Sequence, residues 1–98
     1  VIGGADWLVR EVSDLLESST VGLYEFVGIV RGAFPDMSDD EARRWSADAV
    51  KQLLEQGRGR LVLLRWPSDD IVGTIARFDE SAWEEPTATQ PYAAIAQS

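Results

Sequence analysis

The chain contains no cysteine and no histidine. The first absence removes disulfides, and the two together remove the thiolate and imidazole ligands of most zinc sites. Ser18, Ser19 and Ser68 have no histidine to activate them, and Lys51 has no serine motif beside it. There is no phosphate-binding glycine loop and no dinucleotide fingerprint, since Gly57-Arg58-Gly59 is too short and follows a helical pattern instead of preceding one. Asp36-Met37-Ser38-Asp39-Asp40-Glu41 lacks the central glycine of a calcium loop. The carboxylate neighbours Asp69/Asp70 and Glu84/Glu85 stand at turn-like positions, where nothing local buries them and so raises one pKa of the pair. No catalytic residue, metal ligand or cofactor is expected. No apolar run approaches the roughly 20 residues that cross a bilayer. Val1 to Asp6 shows no basic segment ahead of an apolar one, so no signal peptide is read there. A cysteine-free chain of this kind is expected in the cytoplasm and away from membranes.

Base is also scarce. Nine Lys and Arg face 17 Asp and Glu, for a net charge of -8, over 98 residues of which 45% are hydrophobic. That size and apolar content suit a single domain, 1–98, around one core. The charge is uneven. Asp36, Asp39, Asp40 and Glu41 have no base among them. Between Asp69 and Glu85 six acids (Asp69, Asp70, Asp79, Glu80, Glu84 and Glu85) face Arg77 alone. Such a surface repels phosphate backbones and attracts a basic protein. The plainer account of the same acids is a set of solvated loops that keep a small domain soluble.

The apolar spacing predicts three helices and then strands. Leu8, Val12, Leu15 and Leu16 define a first helix from Trp7-Leu8 to Glu17, with Asp6 as its N-cap. A second runs from about Val21 to Gly32 or Ala33, its buried stripe marked by Leu23, Phe26, Val27, Val30 and Phe34; Pro35 ends it. Ser38-Asp39-Asp40-Glu41 is a capping box for a third helix, with Ala42, Trp45, Ala49 and Leu53 inward and Gly57 as the stop. The acids at 39–41 also suit the positive end of that helix dipole. Arg60 to Trp66 reads as a strand apolar on both sides, and so central. Pro67 to Asp70 turns, Ile71 to Ile75 returns as a hairpin, and Gly73 marks a bulge or a close approach. Asp79 caps a short helical turn to Trp83, Glu84 to Pro91 is a loop, and Tyr92 to Ala96 is a last strand. The fold class is α+β, three helices packed on a small antiparallel sheet.

The stretch AVKQLLEQGRGRLVLLRWPSDDIVG, a long helix with a terminal glycine followed at once by a two-stranded wing, resembles the winged-helix family in order and pattern. The resemblance covers about positions 21 to 78 and carries no specific motif. It implies DNA binding through the third helix, with Arg43, Arg44 and Lys51 on phosphates and Arg58, Arg60 and Arg65 extending the strip. Against that, the outward charges of the third helix cancel, and the wing tip carries Asp69 and Asp70.

Trp45 falls on a helical inner face, and Trp7 covers one end of the core. Trp66 at the hairpin and Trp83 within FDESAWEEP can either fold back on the sheet or serve as interface anchors. The expected function is acidic protein recognition without catalysis. Asp69, Asp70, Glu80, Glu84 and Glu85 would meet a basic partner, with Trp66 or Trp83 docking at the centre. A small acidic protein of this kind resembles immunity proteins and antitoxins that occlude a basic toxin domain. A winged-helix DNA-binding regulator and a homodimerising accessory protein are the alternatives.

Overall fold

The computed structural model describes residues 4–68, 70–87 and 89–97. It is an α+β fold of three helices and a four-stranded antiparallel sheet, in an order close to that of a winged helix. Helix α1 (Gly4–Leu16) leads into a two-residue strand β1 (Val21–Gly22), helix α2 (Leu23–Ala33) and helix α3 (Asp39–Glu55). Strands β2 (Gly59–Leu64) and β3 (Ile71–Thr74) form the hairpin, a 3-10 turn covers Glu80–Trp83, and β4 (Tyr92–Gln97) follows.

Local chemistry explains the helix ends. Ser38 Oγ accepts from the Glu41 amide at 3.2 Å and starts α3. Gly57, at φ +68°, ends it. The Arg58 amide donates to the Leu53 carbonyl at 2.9 Å and the Gly57 amide to the Leu54 carbonyl at 3.1 Å, which is the paired bonding of a Schellman motif. The buried Ser46 satisfies its hydroxyl on the Ala42 carbonyl at 2.8 Å. The start of α1 differs from expectation: the helix begins at Gly4, so Asp6 lies in its first turn and is not the N-cap. On the same helix Leu15 is 43% exposed and Val9 is buried in its place. Phe34 ends α2 as its C-cap residue and is 36% exposed, at the edge of the core and not inside it. Its ring packs edge-on between Trp7 (5.2 Å) and Trp45 (5.4 Å), tying the three helices together at that end.

Val21 is strand, not the first residue of α2, because Val21 and Gly22 pair with Ile95 and Ala94 of β4. Strand β4 also pairs along its whole length with β2, from Tyr92 opposite Leu64 to Gln97 opposite Gly59. The spatial order is therefore β1-β4-β2-β3, and both β2 and β4 are internal. The β2–β3 pairing shifts register after Leu63: Leu63 faces Gly73 but Leu64 faces Ile71, which leaves Val72 as the extra residue of a bulge. Alternation sends Leu61 and Ile95 into the main core with all three helices. Val62, Leu64, Ala94 and Ala96 gather on the opposite face in a second cluster with Tyr92 packed against it.

Candidate functional site

The junction of β1 and α2 sets one end of the sheet. Gly22 has no side chain, and the Tyr24 ring occupies the space where a Cβ would stand, with Cε1 2.6 Å from that point. The Gly22 amide donates to Glu25 Oε2 at 2.6 Å, which holds the Glu25 carboxylate over the helix start. Tyr24 then meets Tyr92, the first residue of β4, edge-on at 5.9 Å, and Tyr92 meets Trp66 edge-on at 6.3 Å. Three rings thus form a strip from α2 across the sheet end to the hairpin. Trp66 at its far end is 41% exposed, and on β3, the strand paired with β2, Ile71 and Val72 are 44% and 45% exposed.

Acids border the strip. Glu85 lies close enough to Tyr24 to act on it electrostatically. Burial first, and then the Glu25 and Glu85 charges, hold the Tyr24 phenol above its ordinary pKa. Glu84 and Glu85 are exposed and, with Tyr92, Leu63 and Ala93, line a cleft of about 290 Å³ between the sheet and the segment after β3. Asp70 is exposed where the hairpin turn re-enters β3; its amide donates to Ser68 Oγ at 3.3 Å, and that hydroxyl donates to the Arg65 carbonyl at 3.0 Å. Among the described residues Asp70, Glu84 and Glu85 form no ion pair.

The other acids are already engaged. Arg43 Nη1 donates to Glu80 Oε2 at 3.2 Å. Its Nε stands 2.8 Å from Asp39 Oδ2, an ion-pair distance without the alignment of a hydrogen bond. Arg31 also reaches Asp39, at 3.6 Å. Desolvation alone would lower the Arg43 pKa, but the Glu80 hydrogen bond and the charges of Asp39 and Glu80 outweigh it and raise the value. Asp79 caps the 3-10 turn, accepting from the Ser81 amide at 2.9 Å and from the Ser81 hydroxyl. Those bonds hold its carboxyl below the ordinary range.

Of the residues proposed for partner binding, Trp66, Asp70, Glu84 and Glu85 stand on the surface. Glu80 is exposed but paired with Arg43. Trp83 is 7% exposed, in the main core, with its ring edge-on to Phe78 at 5.2 Å, so it is a packing residue and not a free anchor. The reason is the 3-10 turn, which lays Trp83 against α2. Asp69 lies outside the described residues. Of the residues proposed for phosphate contact, Arg44 and Lys51 are exposed, whereas Arg43 is held by two carboxylates. Tyr24, Glu25 and Tyr92 were not singled out in the sequence. No local pattern marks them, because a pairing between β1 and β4, about 70 residues apart in the chain, brings them together.

Among the described residues no group of three or more acids is arranged to hold a metal ion, and no helix is long and apolar enough to cross a membrane. Comparison with protein-family models, with curated proteins and with solved structures finds no match for the chain.

Proposed function

We propose that this chain is a non-catalytic recognition module that binds a basic protein through the aromatic strip and the carboxylates around it. The observation that carries this reading is the contrast between two sets of acids. Asp39 and Glu80 are bound to arginines of the same chain. Asp70, Glu84 and Glu85 form no ion pair among the described residues; Asp70 directly precedes the exposed Ile71 and Val72, and Glu84 and Glu85 line a cleft with Tyr92, whose ring meets the exposed Trp66. An exposed tryptophan and unpaired carboxylates linked through Tyr92 suit an interface with an apolar centre and a complementary charged rim. Within this class, the most concrete candidate is a cytoplasmic immunity protein or antitoxin. Its mechanism is occlusion: the carboxylates meet basic groups of a toxin domain while Trp66 docks between them.

The test is co-expression with a basic effector domain encoded by an adjacent gene, read by growth rescue and by co-elution of the two proteins. Trp66→Ala combined with Asp70→Asn, Glu84→Gln and Glu85→Gln should abolish rescue, and added salt should slow association first. A quadruple variant that still rescues growth would sink the proposal. The DNA-binding alternative has less support, because Arg43, one of its three phosphate contacts, is engaged by Asp39 and Glu80. Salt-sensitive affinity for duplex DNA at physiological ionic strength would revive it. Light scattering decides the homodimer alternative.

A further inference from the structure

A groove of about 560 Å³ runs between α1, α2 and the turn that carries Trp83, lined by Leu15, Tyr24, Glu25, Gly28, Trp83 and Glu85 among others. Its floor is apolar. Leu15 contributes an exposed side chain from the end of α1. Gly28, in the middle of α2, contributes none, and nothing lies within 4 Å of where its Cβ would be. No neighbour therefore requires glycine there, and its effect is to leave the trough open at the cost of helix propensity. The two carboxylates belong to Glu25, whose Oε2 already accepts from the Gly22 amide and whose other oxygen is left for a ligand, and to Glu85; neither forms an ion pair among the described residues. Both charges reach the partly buried Tyr24 phenol. Glu85 also lines the cleft beside Tyr92, so the groove adjoins the aromatic strip.

We propose that this groove receives one arginine side chain of the basic protein partner. The proposal rests on the reading above that the partner is basic, and it names where one of its cations sits. A guanidinium is flat, lies against an aromatic face, and presents a fork of donors to carboxylates on either side. Its methylene stem lies along Leu15 and the bare backbone of Gly28, as long basic side chains do on apolar surface. An ammonium group would bring only a point charge, and would leave the aromatic wall and the second carboxylate unused.

The full chain is titrated with N-acetyl-arginine amide at constant ionic strength and followed by amide NMR shifts. Saturable shifts confined to positions 15, 24–29 and 83–85 are expected. The neutral isostere N-acetyl-citrulline amide, and the Glu85→Gln variant with the arginine probe, should each bind about tenfold more weakly. Gly28→Leu should abolish the shifts while leaving the thermal midpoint unchanged or raised, since the space is open. Shifts spread evenly over all exposed carboxylates, equal binding of N-acetyl-lysine amide, or a Gly28→Leu variant that still saturates would each overturn the assignment. The wider reading fails separately. If Gly28→Leu leaves a partner complex intact while the Trp66 and Asp70 substitutions break it, the groove assignment falls and the recognition surface stands. If the probe saturates the groove but no basic protein binds the surface, the partner reading falls and the arginine site remains.

Discussion

Trp66 and Trp83 stand in similar sequence surroundings, each near a pair of acids, yet the fold treats them oppositely, and that contrast gives the sharpest stability test. Trp83 is 7% exposed, packs against α2 and meets Phe78 edge-on. An aromatic side chain buries about 150–250 Å². At about 25 cal/mol/Å² that removal from water is worth roughly 4–6 kcal/mol. Truncation of such a side chain to alanine costs about 3–5 kcal/mol. Domains of this size hold only about 5–15 kcal/mol in total. Trp83→Ala should therefore lose about a fifth or more of the stability. At about 4–8 °C per kcal/mol, the thermal midpoint should fall by more than about 12 °C. Trp66 is 41% exposed, and its one ring contact, with Tyr92, is worth about 0.5–1.5 kcal/mol. Trp66→Ala should move the midpoint by no more than about half as much.

The assay is thermal unfolding followed by circular dichroism, with Trp83→Phe included as a milder core variant that stays folded if the alanine variant does not. The expected order of midpoints is wild type, then Trp66→Ala, then Trp83→Phe, then Trp83→Ala. A Trp83→Ala protein as stable as the wild type would refute the placement of the Glu80–Trp83 turn against α2. It would also return Trp83 to the list of surface anchors.

Two glycines should respond in opposite directions. Gly59→Ala would put a Cβ 2.5 Å from Ile95 Cδ1, and Ile95 is fully buried. Overpacking there should cost about 1–3 kcal/mol in urea unfolding. Gly28→Ala meets nothing within 4 Å and should gain about 0.5–1 kcal/mol from helix propensity. Ser38→Ala removes the acceptor of the Glu41 amide and should cost about 1 kcal/mol, measured in the same way. Asp79 has a folded pKa below its unfolded value, so its contribution is present above the ordinary carboxylate range and is lost as pH falls through the depressed folded value. Asp79→Ala should accordingly lower the thermal midpoint at neutral pH, and the gap to the wild type should close in strong acid.

Much of the fold was legible because it is local. The Ser38 N-cap, the glycine that stops α3, the turn between β2 and β3 and the Asp79 cap are each decided within a few residues, and each appears where the pattern places it; of the capping box expected at Ser38 only the bond from the Glu41 amide forms. The features that escaped are long-range. A strand of two residues, β1, has no periodicity to detect and exists only because β4 pairs with it. On α1 the spacing puts Leu15 in the buried stripe, whereas the fold buries Val9 and leaves Leu15 exposed, because helix spacing fixes a direction but not the width of what covers it. The site divides along the same line. Asp70, Glu84 and Glu85 are surface acids in the sequence and in the fold. The aromatic strip they border needs Tyr24 and Tyr92, which meet only when the two ends of the chain's sheet come together.

That division bears on how the net charge of -8 should be understood. A uniformly solvated acidic surface would spread its few bases among its many acids. Here Arg43 spans Asp39 at the start of α3 and Glu80 in the turn after β3, and Arg31 adds to Asp39. The chain thereby uses two of its nine bases to fasten the Glu80–Trp83 turn and the α2–α3 corner. Immediately past the fastened turn, Glu84 and Glu85 emerge beside Tyr24 and the cleft under Tyr92. Solubility alone would account for exposed acids anywhere on the surface. It does not account for the exposed tryptophan, isoleucine and valine on the same small domain, which solubility would disfavour. Unpaired carboxylates and exposed apolar side chains on one small domain are the pairing that the proposed basic partner would meet.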